Sequence, residues 1–144
     1  MQPINEIKLE FLSKSSNEAF ARVVAAAFVS QIDPTLEELA DVKTAVSEAV
    51  TNAVIHGYEN SQGLIRMHCK LFCDAVEIII SDDGVGIEDI ELARQPLYTS
   101  KPDMDRSGMG FTVMESFMDI VEVTSKPGEG TTVYMFKTFK SLIK

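Results

Sequence analysis

Basic residues are scarce: thirteen Lys and Arg stand against twenty-two Asp and Glu, giving a net charge of −9. That balance disfavours non-specific binding to nucleic acid or to an anionic membrane, since both partners are themselves negative. Any polyphosphate ligand must be held by local features against an unfavourable average field. Cysteine is nearly absent too, with Cys69 and Cys73 the only two. On one strand a spacing of four puts both thiols on one face but about 13 Å apart, beyond disulfide reach. Two thiols alone do not complete a zinc site, so both read as reduced cysteines. Long hydrophobic runs are also lacking: the most apolar stretch, Val23 to Ile32, is too short to span a bilayer. Met1 to Leu12 carries acids and lysine among its apolar residues, unlike a secretory leader. A cytoplasmic location is the expectation.

What is present is one domain's worth of chain. At 144 residues folding can bury roughly two-thirds of the unfolded surface, enough for a core without staples. No internal repeat or low-complexity segment occurs. Ile4 to Phe11 largely alternates apolar and polar residues, which predicts a half-buried strand. Ser15-Ser16-Asn17-Glu18 has the capping-box pattern, and Phe20, Val23, Val24, Ala27 and Phe28 follow at helical spacing. That helix should end near Ile32, before Asp33-Pro34. Thr35-Leu36-Glu37-Glu38 is a second capping box. It opens a long helix through Leu39, Val42, Val46, Ala49, Val50 and Ala53 that Gly57 stops.

Leu64 to Cys73 and Val76 to Ser81 predict a hairpin joined tightly at Asp74-Ala75. From Asp82 to Gly110 regularity disappears, and a loop of that length inside a compact domain is usually functional or mobile. Phe111 to Met118 reads as a short helix, and Ile120 to Ser125 with Thr131 to Phe139 as a second hairpin. The lysine-bearing end reads as a frayed tail, 138–144. The expected fold class is α+β: helices on one face of a mainly antiparallel mixed sheet, in two layers. The order does not alternate as a Rossmann domain requires.

Four stretches carry candidate chemistry. Thr44, Glu48, Asn52 and His56 recur every four residues and form one polar stripe on the second helix. Glu48 can act as a general base, and the Asn52 amide oxygen can ligate a hard cation such as Mg²⁺. The same stripe is also what the solvated face of an amphipathic helix looks like. Asp82-Asp83-Gly84-Val85-Gly86-Ile87 follows a strand directly; its glycines allow close approach of a planar ligand, and the aspartate offers acceptors to an exocyclic amine. Asp-Gly is equally an ordinary turn dipeptide. Ser107-Gly108-Met109-Gly110 precedes a helix, where exposed amides bind phosphate, with Lys101 and Arg106 just before it to neutralise charge. It lacks the Gly-Lys-Ser/Thr ending of a P-loop. Gly130-Thr131-Thr132 alone cannot be told from a hairpin exit.

The order of these motifs is more specific than any one of them. It resembles the ATPase superfamily shared by gyrase, the Hsp90 chaperones, histidine kinases and MutL, over about Val46 to Thr132. Within it, Val46 to Ala53, Ile55 to Tyr58, Asp82 to Ile87, Ala93 to Leu97 and Arg106 to Phe111 resemble the sporulation anti-sigma-F family, and Asn17 to Val23 extends the match towards the N-terminus. That resemblance implies a Bergerat-type ATP-binding fold, with ATP and Mg²⁺ as ligands. It implies a homodimeric serine kinase that sequesters a sporulation sigma factor and phosphorylates the anti-anti-sigma factor.

Carried over by position, Glu48 would be the base, Asn52 would hold Mg²⁺ and Asp82 would read adenine. Gly84, Gly86, Gly108, Gly110 and Thr131 would lie against the nucleotide. Thr99, Lys101, Arg106 and Ser107 would belong to an ATP lid at about 88–107, with Arg106 on the γ-phosphate. Arg22 matches a basic position on the family's partner-binding surface. A nucleotide-gated binding module without kinase activity would need the same pocket residues, and an anti-sigma kinase of a general-stress pathway would differ only in its partners. A single domain of this length lacks the transducer region of a chaperone or topoisomerase. With His56 and His68 the only histidines and no phosphoacceptor domain ahead of the fold, a histidine kinase is disfavoured.

Overall fold

The computed structural model describes residues 2–59, 61–87, 89–94 and 110–143. Strands β1 (Asn5–Leu12), β2 (Leu64–Leu71), β3 (Ala75–Asp82), β4 (Ile120–Ser125) and β5 (Thr131–Thr138) form one sheet in the order β1-β2-β3-β5-β4. All four pairings are antiparallel, so the sheet contains no parallel pair among the described residues. Helices α1 (Ser16–Val29), α2 (Leu36–Asn52) and α4 (Gly110–Phe117) complete the domain, with a single turn α3 (Ile90–Ala93) that the sequence did not announce.

Alternation sets the core face of the sheet. Ile65, Met67, Cys69 and Leu71 of β2 stand beside Val76, Ile78 and Ile80 of β3, then Val133 and Met135 of β5, all buried. Val42, Ala45, Val46, Ala49 and Val50 of α2 and Ala21, Ala25, Phe28 and Val29 of α1 join the same cluster, which is the period-2 face of a sheet meeting period-3.6 stripes. Cys69 belongs to this core, where burial pushes its thiol up to about 12. Cys73 is exposed in the turn after β2, so the two cysteines do not share a strand.

The two capping boxes behave differently. At Thr35 the box closes: its Oγ1 accepts the Glu38 N–H at 3.1 Å and the Glu38 carboxylate accepts the Thr35 N–H at 2.9 Å. Ser15 makes no side-chain cap, because its backbone is already α-helical (φ −55°, ψ −34°) rather than extended as a capping residue requires. The α1 start is held instead by the Asn17 amide, which donates to the Leu12 carbonyl at 2.9 Å.

The C-terminal segment is docked, not frayed. Phe139 is fully buried and its N–H bonds the Asp74 carbonyl at 2.7 Å. Ser141 then donates both its hydroxyl and its N–H to the Glu38 carboxylate. Burial alone would raise the Glu38 carboxyl, but the bonds from Ser141 and Thr35 outweigh it and hold the group at about 2. A depressed carboxylate stabilises the fold at pH values above its unfolded pKa and loses that contribution as pH falls through the folded one. Glu38→Gln is therefore expected to melt earlier than the parent at pH 7, with the two melting temperatures converging between about pH 4.5 and pH 2. Thermal unfolding followed by circular dichroism across that range checks it.

Candidate active site

The C-terminal end of the polar stripe lines a cavity: Asn52 and His56 reach it, Thr44 and Glu48 do not. After Asn52 the helix widens into one π-type turn, Ala53–Gly57, closed by the Tyr58 N–H on the Ala53 carbonyl at 3.0 Å. Such turns are rare and occur often at functional sites. Here the wide turn leaves the Gly57 carbonyl to accept the Val85 N–H at 2.8 Å, tying the end of α2 to the loop after β3.

Asp82 is placed by alternation. It continues the inward row Val76, Ile78, Ile80, and it is one of two buried polar residues among those described, at 6 % exposed. Burial pushes its carboxyl up, while N–H bonds from Gly84 (2.9 Å) and Thr131 pull it back. Gly57 lies directly against it: a Cβ there would stand 2.9 Å from Asp82 Oδ1. Gly130, at φ 82°, passes so close that a Cβ would meet the Asp82 carbonyl oxygen at 2.0 Å. Neither Gly57 nor Gly130 was singled out for this role from sequence, where they read as a helix stop and a hairpin exit.

The cavity holds about 400 Å³, and Asn52, Asp82, Gly86, Gly110 and Thr131 all line it, a volume within the range of small-molecule sites. Ala53, Ile80, Val133 and Phe111 give it apolar walls, and His56 lines it too. Gly84 sits one residue from the lining, in the turn that shapes it. Glu48 is one helical turn before Asn52, and α4 begins against both: a Cβ on Gly110 would lie 3.1 Å from Asn52 Nδ2 and 3.4 Å from Glu48 Oε2. Thr99, Lys101, Arg106, Ser107 and Gly108 lie outside the described residues, as does most of the lid span 88–107. Arg22 is on α1, 3.7 Å from Glu18 in an i, i+4 pair, and does not line the cavity.

Asn52 Nδ2 is buried and has no hydrogen-bond partner among the described residues. An unpaired buried amide nitrogen is costly, and the Asn52 side chain stands at the cavity wall, where a ligand can meet it. A half-turn of the amide presents oxygen instead of nitrogen, which suits either a phosphate oxygen or a cation. No cluster of three His, Cys, Asp or Glu stands together among the described residues. Mg²⁺ takes one or two protein oxygens alongside substrate phosphates rather than a full protein cage, and the Asn52 amide oxygen is a ligand of that kind.

Comparison with known proteins places this geometry. The Histidine kinase-like ATPase domain family matches residues 12–137. An Anti-sigma F factor of Clostridium kluyveri is 59 % identical over 138 residues, covering 96 % of this chain and 97 % of the relative. The chain belongs to the anti-sigma F factor family. Another member, from Clostridium beijerinckii, is 61 % identical over 94 % of this chain and 95 % of its own length. One from Oceanobacillus iheyensis is 59 % identical over 92 % of each chain. Among solved structures, the RsbU and RsbW domains of a Mycobacterium tuberculosis protein superpose with a TM-score of 0.66 at 19 % identity. That likeness shows the fold, over 94 % of this chain and 32 % of the longer one. This anti-sigma F factor family member has no helix among its described residues long and apolar enough to cross a membrane.

Proposed function

We propose that the chain binds ATP with Mg²⁺ in this cavity, phosphorylates a serine of an anti-anti-sigma factor, and sequesters a sporulation sigma factor, acting as a homodimer. The observation that carries the nucleotide reading is the convergence of two costly groups on one cavity: the buried Asp82 carboxyl and the Asn52 Nδ2, which has no hydrogen-bond partner among the described residues. The partners are inferred from membership of a family whose relatives bear the name Anti-sigma F factor.

In this reading Asp82 accepts a hydrogen bond from the adenine amine, and the backbone at Gly84 and Gly86 leaves room for the flat base. Gly108, Gly110 and the start of α4 offer N–H groups to the phosphates. Thr99, Lys101 and Ser107 complete the nucleotide contacts, and Arg106 offsets charge at the γ-phosphate. Asn52 holds Mg²⁺, which when bound neutralises phosphate charge. Glu48 takes the proton from the substrate serine as its Oγ bonds phosphorus and the bond to the ADP oxygen breaks, so that ADP leaves. Arg22 on α1 is assigned to the partner surface. The net charge of −9 suits a basic face on the sigma factor.

Asn52→Ala is expected to weaken Mg²⁺-dependent ATP binding by about 10- to 100-fold, the range for losing a bond to a charged group. Isothermal titration with and without Mg²⁺ reads this directly. Unchanged affinity in the presence of the metal would contradict the assignment.

A further inference from the structure

We infer that Tyr58 is a positioning residue for adenine recognition: its hydroxyl fixes the backbone between Asp82 and Gly84 and so aims the Asp82 carboxylate. The inference rests on the reading of the cavity as an ATP site and assigns a residue that this reading left unused.

Tyr58 follows the π-type turn directly. Its Oη accepts the Asp83 N–H at 2.7 Å and donates to the Leu64 carbonyl at 2.6 Å. One hydroxyl thus bridges the residue after β3 to the first residue of β2, spending its donor and one of its acceptors. Asp83 is gripped a second time through its side chain, where Arg66 makes a two-pronged contact at 2.8 Å and 2.9 Å. Planar paired bonds of that kind fix orientation as well as energy. Asp83 itself does not line the cavity. Its main chain nevertheless carries the turn in which the Gly84 N–H bonds Asp82 Oδ1, so holding Asp83 holds the angle of the Asp82 carboxylate.

The ring of Tyr58 is itself fixed. It packs against the hydrophobic core, and it crosses Gly63 so closely that a Cβ there would stand 2.3 Å from the ring. Gly63 is tied to the end of β1, with its N–H on Ser13 Oγ at 2.9 Å and its carbonyl accepting the Ser13 N–H at 2.9 Å. Ser13 Oγ in turn donates to the Ser61 carbonyl at 2.9 Å. The phenol is therefore a rigid strut with its foot on the core and its tip on the adenine-side turn. A strut whose only job was to fill space would not need its hydroxyl matched at both lone pair and proton.

The test compares ATP with ITP, which carries a 6-oxo group in place of the 6-amino group. The parent chain is expected to prefer ATP. Tyr58→Phe should weaken ATP binding about three- to tenfold, the effect of one lost hydrogen bond, while ITP binding stays unchanged and the preference shrinks. Arg66→Gln should shrink it in the same direction by a smaller factor. Tyr58→Phe added to Asp82→Asn should change nothing further, since both act through one contact. An unchanged ATP preference in Tyr58→Phe, or an equal weakening of both nucleotides, overturns the inference while leaving the ATP site standing. A parent chain that binds neither nucleotide, or both alike, overturns the Asp82–adenine reading and this inference with it.

Discussion

Glu48→Gln is expected to bind ATP as tightly as the parent chain and to transfer phosphate about 100- to 10,000-fold more slowly, the usual contribution of a positioned base. Glutamine keeps the size of the side chain beside Gly110, where an added Cβ would lie 3.4 Å from Glu48 Oε2. It removes the one property the role needs, a carboxylate able to take a proton. Glu48 does not line the cavity that Asn52 lines, so the nucleotide should not register the change. Paired measurements of affinity and single-turnover transfer separate the two. Loss of binding would make Glu48 a structural or metal-holding residue, and an unchanged rate would remove it from the base role.

Gly84→Ala is expected to abolish measurable ATP binding and to lower stability by about 1–3 kcal/mol, the usual range for overpacking. For a domain of this size that lowers the melting temperature by roughly 3–12 °C. The added Cβ would fall 1.9 Å from the Gly57 carbonyl oxygen and 2.3 Å from its carbon. These are backbone atoms with no rotamer to escape into. The same carbonyl receives the Val85 N–H, so relief must break the tie between α2 and the turn after β3. Gly128→Ala is the control. A Cβ there meets nothing within 4 Å, although φ is 80°, so only left-handed strain of about 1–2 kcal/mol is expected, with nucleotide binding intact. Melting curves and ATP titration of both variants check the contrast.

The parts of this site that repeat with a period were legible in the sequence. Asn52 could be placed on a polar stripe because Thr44, Glu48, Asn52 and His56 share a face while Val42, Val46, Ala49 and Val50 mark the core. Asp82 could be placed just after a strand, but that β3 runs on through it and turns it inward with Ile78 and Ile80 shows only in the fold. Contacts between residues distant in sequence were not legible. Nothing about Gly57 announces that the Asp82 carboxyl lies 2.9 Å from where its Cβ would be. The tie between Tyr58 and Asp83 likewise joins segments whose spacing means nothing until the sheet brings them together. Ser15 and Thr35 open equally good capping patterns, but only Thr35 has the extended backbone that lets its side chain turn back. The lysines after Lys137 suggested fraying; the buried ring of Phe139 and the bonds of Ser141 to Glu38 decide against it.

The most direct test of the account is transfer of labelled γ-phosphate from ATP-Mg²⁺ to a purified anti-anti-sigma factor, followed by identification of the labelled residue. The account predicts label on a serine of that partner, dependent on Mg²⁺. Tight ATP binding with no label on the partner would contradict it, and would leave a protein whose nucleotide gates binding without kinase chemistry.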